Sequence, residues 1–104
     1  MILEVAILDV IPDQKEDFET AFIEASPIIL GMPGSISHQL QHSLEKENRY
    51  ILLVKWERLE DHTAGFRGSD QYQEWRKLLH HFYDPFPTVE HYELVQDYPS
   101  ESAG

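Results

Sequence analysis

The chain has 104 residues, 41% of them apolar and 26% charged, so it forms one domain able to bury only about 60–68% of its unfolded surface. Its 19 Asp and Glu against 8 Lys and Arg give a formal charge of −11, which argues against nucleic acid or an anionic membrane as partner. It has no cysteine, and this excludes disulfides, thiolate metal sites, iron–sulfur clusters and a cysteine nucleophile.

The start, MILEVAILDVI, is apolar but carries Glu4 and Asp9 and no basic region. It is too short and too acidic for a signal peptide or membrane span, and a cytoplasmic protein is the plain expectation. Ile2–Ile11 predicts the first strand, which Pro12 stops. Asp13, with Glu16 three residues on, has the spacing of a capping box. The helix that follows places Phe18, Ala21, Phe22 and Ala25 on one stripe, and Pro27 is expected to kink or end it before Gly31-Met32-Pro33-Gly34.

Ser35–Ser43 alternates as a second strand, with Ile36, His38, Leu40 and His42 on one face and Ser37, Gln39 and Gln41 on the other. Glu45-Lys46-Glu47-Asn48 reads as a hairpin loop into a third strand, Tyr50–Glu57. A short helix at Leu59–Phe66 and a longer one at Asp70–Tyr83 follow, the second capped by Gly68-Ser69-Asp70 and ended by Pro85 and Pro87. Thr88–Val95 predicts a last strand, completing a domain over 1–95, and 96–104 a loose tail.

The order strand, helix, strand, strand, helix, strand predicts an α+β, ferredoxin-like βαββαβ fold, with a four-stranded antiparallel sheet covered on one face by two helices. The first strand is apolar on both faces (Ile2, Ala6, Leu8, Val10 and Leu3, Val5, Ile7), as is the third (Leu52, Val54, Trp56 and Ile51, Leu53). A sheet with one wet face would alternate instead, so a second copy packed sheet against sheet is expected: a homodimer.

Leu59, His62 and Phe66 fall at i, i+3 and i+7, which puts His62 on the inward face of the short helix. Trp75, Leu78, Leu79 and Phe82 form a second stripe, with Tyr72 one turn earlier. By pattern alone, a single inward histidine is more often a core residue than a catalytic one, and tryptophans at helical spacing are mostly core. Other histidines make poor metal sites. His80 and His81 diverge on a helix, and His38 and His42 lie roughly 13 Å apart along a strand, so no metal is expected. His38 could line a pocket or an interface. No nucleotide-binding, hydrolase or zincin motif occurs.

The strand LLVKWE, the turn into DHTAGFRGS, the helix YQEWRKLL and the run FYDPFPTVEHYEL resemble the antibiotic biosynthesis monooxygenase (ABM) family, with Trp56 and His62 as the most specific marks. The resemblance covers residues 1–95. It implies a dimeric α+β barrel with a cavity in each subunit, and an activity with O2 on hydroxylated aromatics using no cofactor. His62 would then be the base, with Arg76 or Arg67 stabilising a phenolate. Phe66, Tyr72 and Trp75 would stack on the ring, and Leu79, His38 and Trp56 would complete the wall. A haem-degrading branch fits poorly: it relies on an asparagine in the first strand, where this chain has none near Ala6, and Arg76 stands near that branch's iron-ligating histidine. The alternatives on the same scaffold are a non-enzymatic binding or stress-response module and a lactone isomerase.

Overall fold

A computed structural model describes residues 1–101. The element order is β1 (Ile2–Asp9), α1 (Lys15–Leu30), β2 (Ser35–His42), β3 (Arg49–Trp56), a π-helical turn (Asp61–Phe66), α2 (Asp70–Leu79), a 3₁₀ turn (His80–Phe82) and β4 (Thr88–Glu93). All pairings in the sheet are antiparallel, in the order β2-β3-β1-β4. This is the ferredoxin-like α+β arrangement expected. No helix among the described residues is long and apolar enough to cross a membrane.

The alternation of β1 and β3 sets which face is inside. Ala6, Leu8 and Val10 of the first segment and Tyr50, Leu52, Val54 and Trp56 of β3 are buried under Phe18, Phe22, Ala25 and Ile29 of α1 and Trp75 and Leu79 of α2. Leu3, Val5, Ile7, Ile51 and Leu53 point to the opposite face and are only half-buried.

Several boundaries differ from the sequence expectation, each for a local reason. Asp13 adopts a positive φ of 70° in a turn, so it cannot cap α1; Gln14 precedes the helix and no side chain caps it. Pro27 neither ends nor interrupts α1, which runs on to Leu30, and the Pro27 carbonyl still accepts from the Gly31 N–H at 3.1 Å. In β2 the register slips between Ser35 and Ser37, which makes Ile36 the extra residue of a bulge and leaves it 46% exposed instead of in line with His38 and Leu40. The short helix is wider than an α-helix: the Arg67 N–H reaches back to the His62 carbonyl at 3.1 Å, and Leu59 is left exposed outside the His62–Phe66 face. The second long helix stops as α-helix at Leu79 and tightens into the 3₁₀ turn. Of the expected tail, 96–101 has no helix or strand, and 102–104 lie outside the described residues.

Candidate active site

A cavity of about 310 Å³ lies between the sheet and the second half of the chain. Its apolar wall comes from Ala6 and Leu8 of β1, Leu52 of β3, Val89 of β4 and Ile29 of α1. Phe66, Tyr72 and Trp75 supply aromatic surface, with His80, Tyr83, Phe86 and Pro87 around the chain's turn into β4. Glu4, His62 and Arg67 complete it.

The backbone explains how these groups meet. Glu4 shares the inward face of β1 with Ala6 and Leu8, and its strand partner on β4 is His91. Trp56 ends β3 one diagonal step away, where its indole N–H donates to Glu4 Oε1 at 2.9 Å. The π turn brings His62 over this pair. That turn is seated on Gly34, whose φ of 84° and close approach to the Asp61 carboxyl leave no room for a Cβ. The Asp61 carboxylate in turn accepts from the Arg58 backbone N–H at 3.1 Å. Ser69 caps α2 through the Tyr72 N–H at 3.1 Å, which fixes the helix bearing Tyr72 and Trp75.

His62 is sandwiched. Its ring stacks on Trp56 at 5.4 Å between centroids and 18° between planes, its Nδ1 is 2.8 Å from His91 Nε2, and its Nε2 is 3.4 Å from Glu4 Oε1. Burial, then the positive charge of Arg67, then His91 push its pKa down to about 3, so at neutral pH it is an uncharged imidazole. The contact with Glu4 is accordingly not an ion pair at that pH. Burial raises the Glu4 pKa, against the opposing pull of the Trp56 hydrogen bond and of Arg67. His91 is lowered by burial and by Arg67, and His80 by burial, Arg76 and Arg67. Arg67 thus acts on Glu4 and on all three imidazoles, and no carboxylate among the described residues pairs with it.

Of the residues singled out from the sequence, the structure gathers His62, Phe66, Tyr72 and Trp75 around the cavity, with Arg67 as the arginine that lines it. Arg76 does not line it; its guanidinium donates to Gln73 on the exposed side of α2 at 3.4 Å. Leu79 and Trp56 are fully buried behind the wall. His38 faces the helices, where its Nε2 lies 2.7 Å from Ser26 Oγ and its ring 6.0 Å from that of Phe22, away from both the cavity and the outer sheet face. Glu4, His80, Tyr83 and Phe86 were not anticipated. A signal for Glu4 was present, since it interrupts the inward apolar register of β1. No group of three or more His, Asp or Glu among the described residues converges as a metal site.

Residues 1–78 match the antibiotic biosynthesis monooxygenase family. A Bacillus subtilis (strain 168) relative, YczJ, whose function is uncharacterized, is 55% identical over 95 residues, covering 91% of this chain and all of its own. A solved Bordetella bronchiseptica structure assigned to the antibiotic biosynthesis monooxygenases superposes with a TM-score of 0.88 at 36% identity, covering 91% of this chain and 97% of that one. SnoaB, a cofactor-independent oxygenase from Streptomyces nogalater, gives a TM-score of 0.76 at 19% identity over 95% of this chain and 97% of its own, a likeness of fold.

Proposed function

The chain belongs to the antibiotic biosynthesis monooxygenase family, and from that premise we propose that it is a cofactor-independent monooxygenase or quinol oxidase that acts with O2 on a small hydroxylated aromatic compound. The observation that carries this reading is the meeting, in one cavity, of a largely apolar and aromatic wall with a proton-accepting pair, Glu4 and His62, and an unpaired cation, Arg67. A cofactor-free oxidation by O2 needs the substrate to supply electrons, and a phenol becomes a good one-electron donor once deprotonated. The protein then has to take the proton, stabilise the anion and keep the ring dry. Glu4 and His62 meet the first need, Arg67 the second, and Phe66, Tyr72 and Trp75 the third. That SnoaB shares the fold supports the same class of chemistry.

The outer face of the sheet, with Leu3, Val5, Ile7, Ile51 and Leu53 half-exposed, supports a homodimer joined sheet to sheet. Oxygen uptake by metal-stripped protein with a reduced dihydroxynaphthalene tests the oxidase reading, with superoxide dismutase and heat-treated protein controlling for autoxidation. Saturable uptake above both controls supports it; uptake equal to the heat-treated control across a panel of hydroquinones refutes it. The close Glu4–His62 pair also suits an isomerase that removes and returns one proton, and turnover without oxygen consumption would favour that second reading.

A further inference from the structure

His62 lines the cavity, yet both of its ring nitrogens are already engaged. Nδ1 faces His91 Nε2 at 2.8 Å, Nε2 faces Glu4 Oε1 at 3.4 Å, and the side chain is 3% exposed. The single lone pair of the neutral ring is turned to Glu4 or to His91, not to a bound hydroxyl. Glu4 differs. Oε1 takes the Trp56 N–H, but no described residue donates to Oε2. Nor is Oε2 sealed in the protein: the enclosed side-chain polar atoms without a partner are Ser35 Oγ and His38 Nδ1. Oε2 therefore meets the cavity that Glu4 lines.

We infer that Glu4 is the group that takes the proton from the bound hydroxyl, and that His62 and His91 stand behind it as positioning residues that lead the proton away from the cavity. The inference rests on the reading that an ionisable aromatic hydroxyl occupies the cavity. In the step itself the substrate O–H bond breaks, its electron pair stays on the oxygen, and an O–H bond forms on Glu4. The new phenolate faces Arg67. The proton then passes from the carboxyl, by way of Oε1, to His62 Nε2 as the proton on Nδ1 passes to His91 Nε2. The His62 ring thus gains one proton and gives one, and His91 ends holding one more. No electron changes hands in these transfers. A carboxylate held in apolar surroundings is a stronger base than one in water, and burial has that effect here.

The ionisable groups facing Glu4 are His91 across the strand pair, His62 on the π turn and Arg67 just after it. His80 is the competing acceptor. It lines the cavity and no described residue hydrogen-bonds its ring, but Arg67 and Arg76 both disfavour its cation. The positive charge of Arg67, by contrast, draws the developing phenolate to the Glu4 side.

The test is proton uptake on binding a pre-ionised phenolate, 4-nitrophenolate, under anaerobic conditions. It is measured by titration calorimetry in buffers of different ionisation enthalpy. The intact protein is expected to take up about one proton per phenolate bound, because Glu4 accepts it as the anion enters. Glu4→Gln keeps an acceptor for Trp56 and should bind the phenolate with uptake lost; Glu4→Asp should restore part of it. His62→Asn and His80→Asn should retain uptake. Retained uptake in Glu4→Gln, loss confined to His62→Asn or His80→Asn, or no uptake or no binding in the intact protein overturns the inference. Thermal melting establishes that each variant is folded, and His91→Asn offers a milder change at the far end of the chain of groups. There the phenolate should still bind with uptake, while turnover slows more as buffer is diluted, and buffer-independent turnover would remove His91 from the path. Because no oxygen is present, uptake that vanishes with Glu4→Gln in a protein that consumes no O2 would sink the oxidase reading and leave this assignment standing.

Discussion

The indole N–H of Trp56 donates to the carboxylate of Glu4 at 2.9 Å, joining the end of β3 to the start of β1 on the buried face of the sheet. Among the described residues, this is the hydrogen bond that the buried carboxylate receives. Trp56→Phe should therefore destabilise the fold by about 1–3 kcal/mol beyond the lost packing, since an acceptor is left unsatisfied. The same substitution in a Glu4→Gln background should cost less, with a coupling energy of roughly 1 kcal/mol or more in a double-mutant cycle by urea unfolding. Strict additivity would show that the bond does not matter to stability.

Acid should weaken the fold through His62. Its folded pKa of about 3 lies below the ordinary 6.5, so below 6.5 the unfolded chain binds a proton that the folded one refuses. Its contribution is complete above pH 6.5 and is lost as pH falls toward 3, by at most roughly 5 kcal/mol. Glu4 works in the opposite sense: its raised pKa means that stability is lost as pH rises through its folded value. Melting temperatures between pH 7 and 5 should fall less in His62→Asn than in the parent, and Glu4→Gln should melt higher than the parent at pH 7. Parallel pH profiles for parent and His62→Asn would contradict the first expectation, and a lower melting point for Glu4→Gln the second.

Arg67 and Arg76 should separate cleanly. Arg67 lines the cavity and biases Glu4, His62 and His80 there, while Arg76 is turned to Gln73 on the exposed side of α2 and reaches only His80 among these groups. Arg67→Gln should weaken phenolate binding by roughly 3- to 30-fold and leave binding of a non-ionisable analogue nearly unchanged. Arg76→Gln should leave both within about twofold. Equal losses for the two ligands in Arg67→Gln would mean a packing role.

Leu79 and Tyr72 test the line between core and pocket. Leu79 is fully buried outside the cavity wall, so Leu79→Ala should cost about 2–5 kcal/mol in unfolding free energy with ligand affinity little changed. Tyr72 is half-buried and lines the cavity, so Tyr72→Ala should lower affinity for an aromatic ligand more than it lowers stability. The reverse pattern in paired unfolding and binding measurements would redraw the cavity.

The outer sheet face makes its own prediction. Leu53→Lys, in β3 next to the central β1 pairing, places a charge where a second copy would pack. Sedimentation equilibrium should show a dimer for the parent and a monomer for the variant. A parent that sediments as a monomer, or a variant that stays dimeric, rules out the sheet-to-sheet assembly.

The sequence by itself determined the order of elements, the inward stripes of α1 and α2, and the two-faced character of β1 and β3. These are local periodicities: a side chain's face on a strand or helix follows from its spacing alone. Periodicity also placed His62 and Phe66 inside, although the turn that carries them proved wider than an α-helix. Only the tertiary structure decided which inward polar groups meet. A period of two puts Glu4 on the same face as Ala6, but strand register puts His91 opposite it, and the π turn lowers His62 onto Trp56 above it. His38 keeps the inward face that its spacing predicts, but its strand β2 is at the edge of the sheet, where it meets Ser26 of α1 instead of the cavity. A residue's own spacing encodes its direction, whereas its neighbours across the sheet depend on registers and turns set by many distant contacts at once, and the chemistry of this site lives in those neighbours.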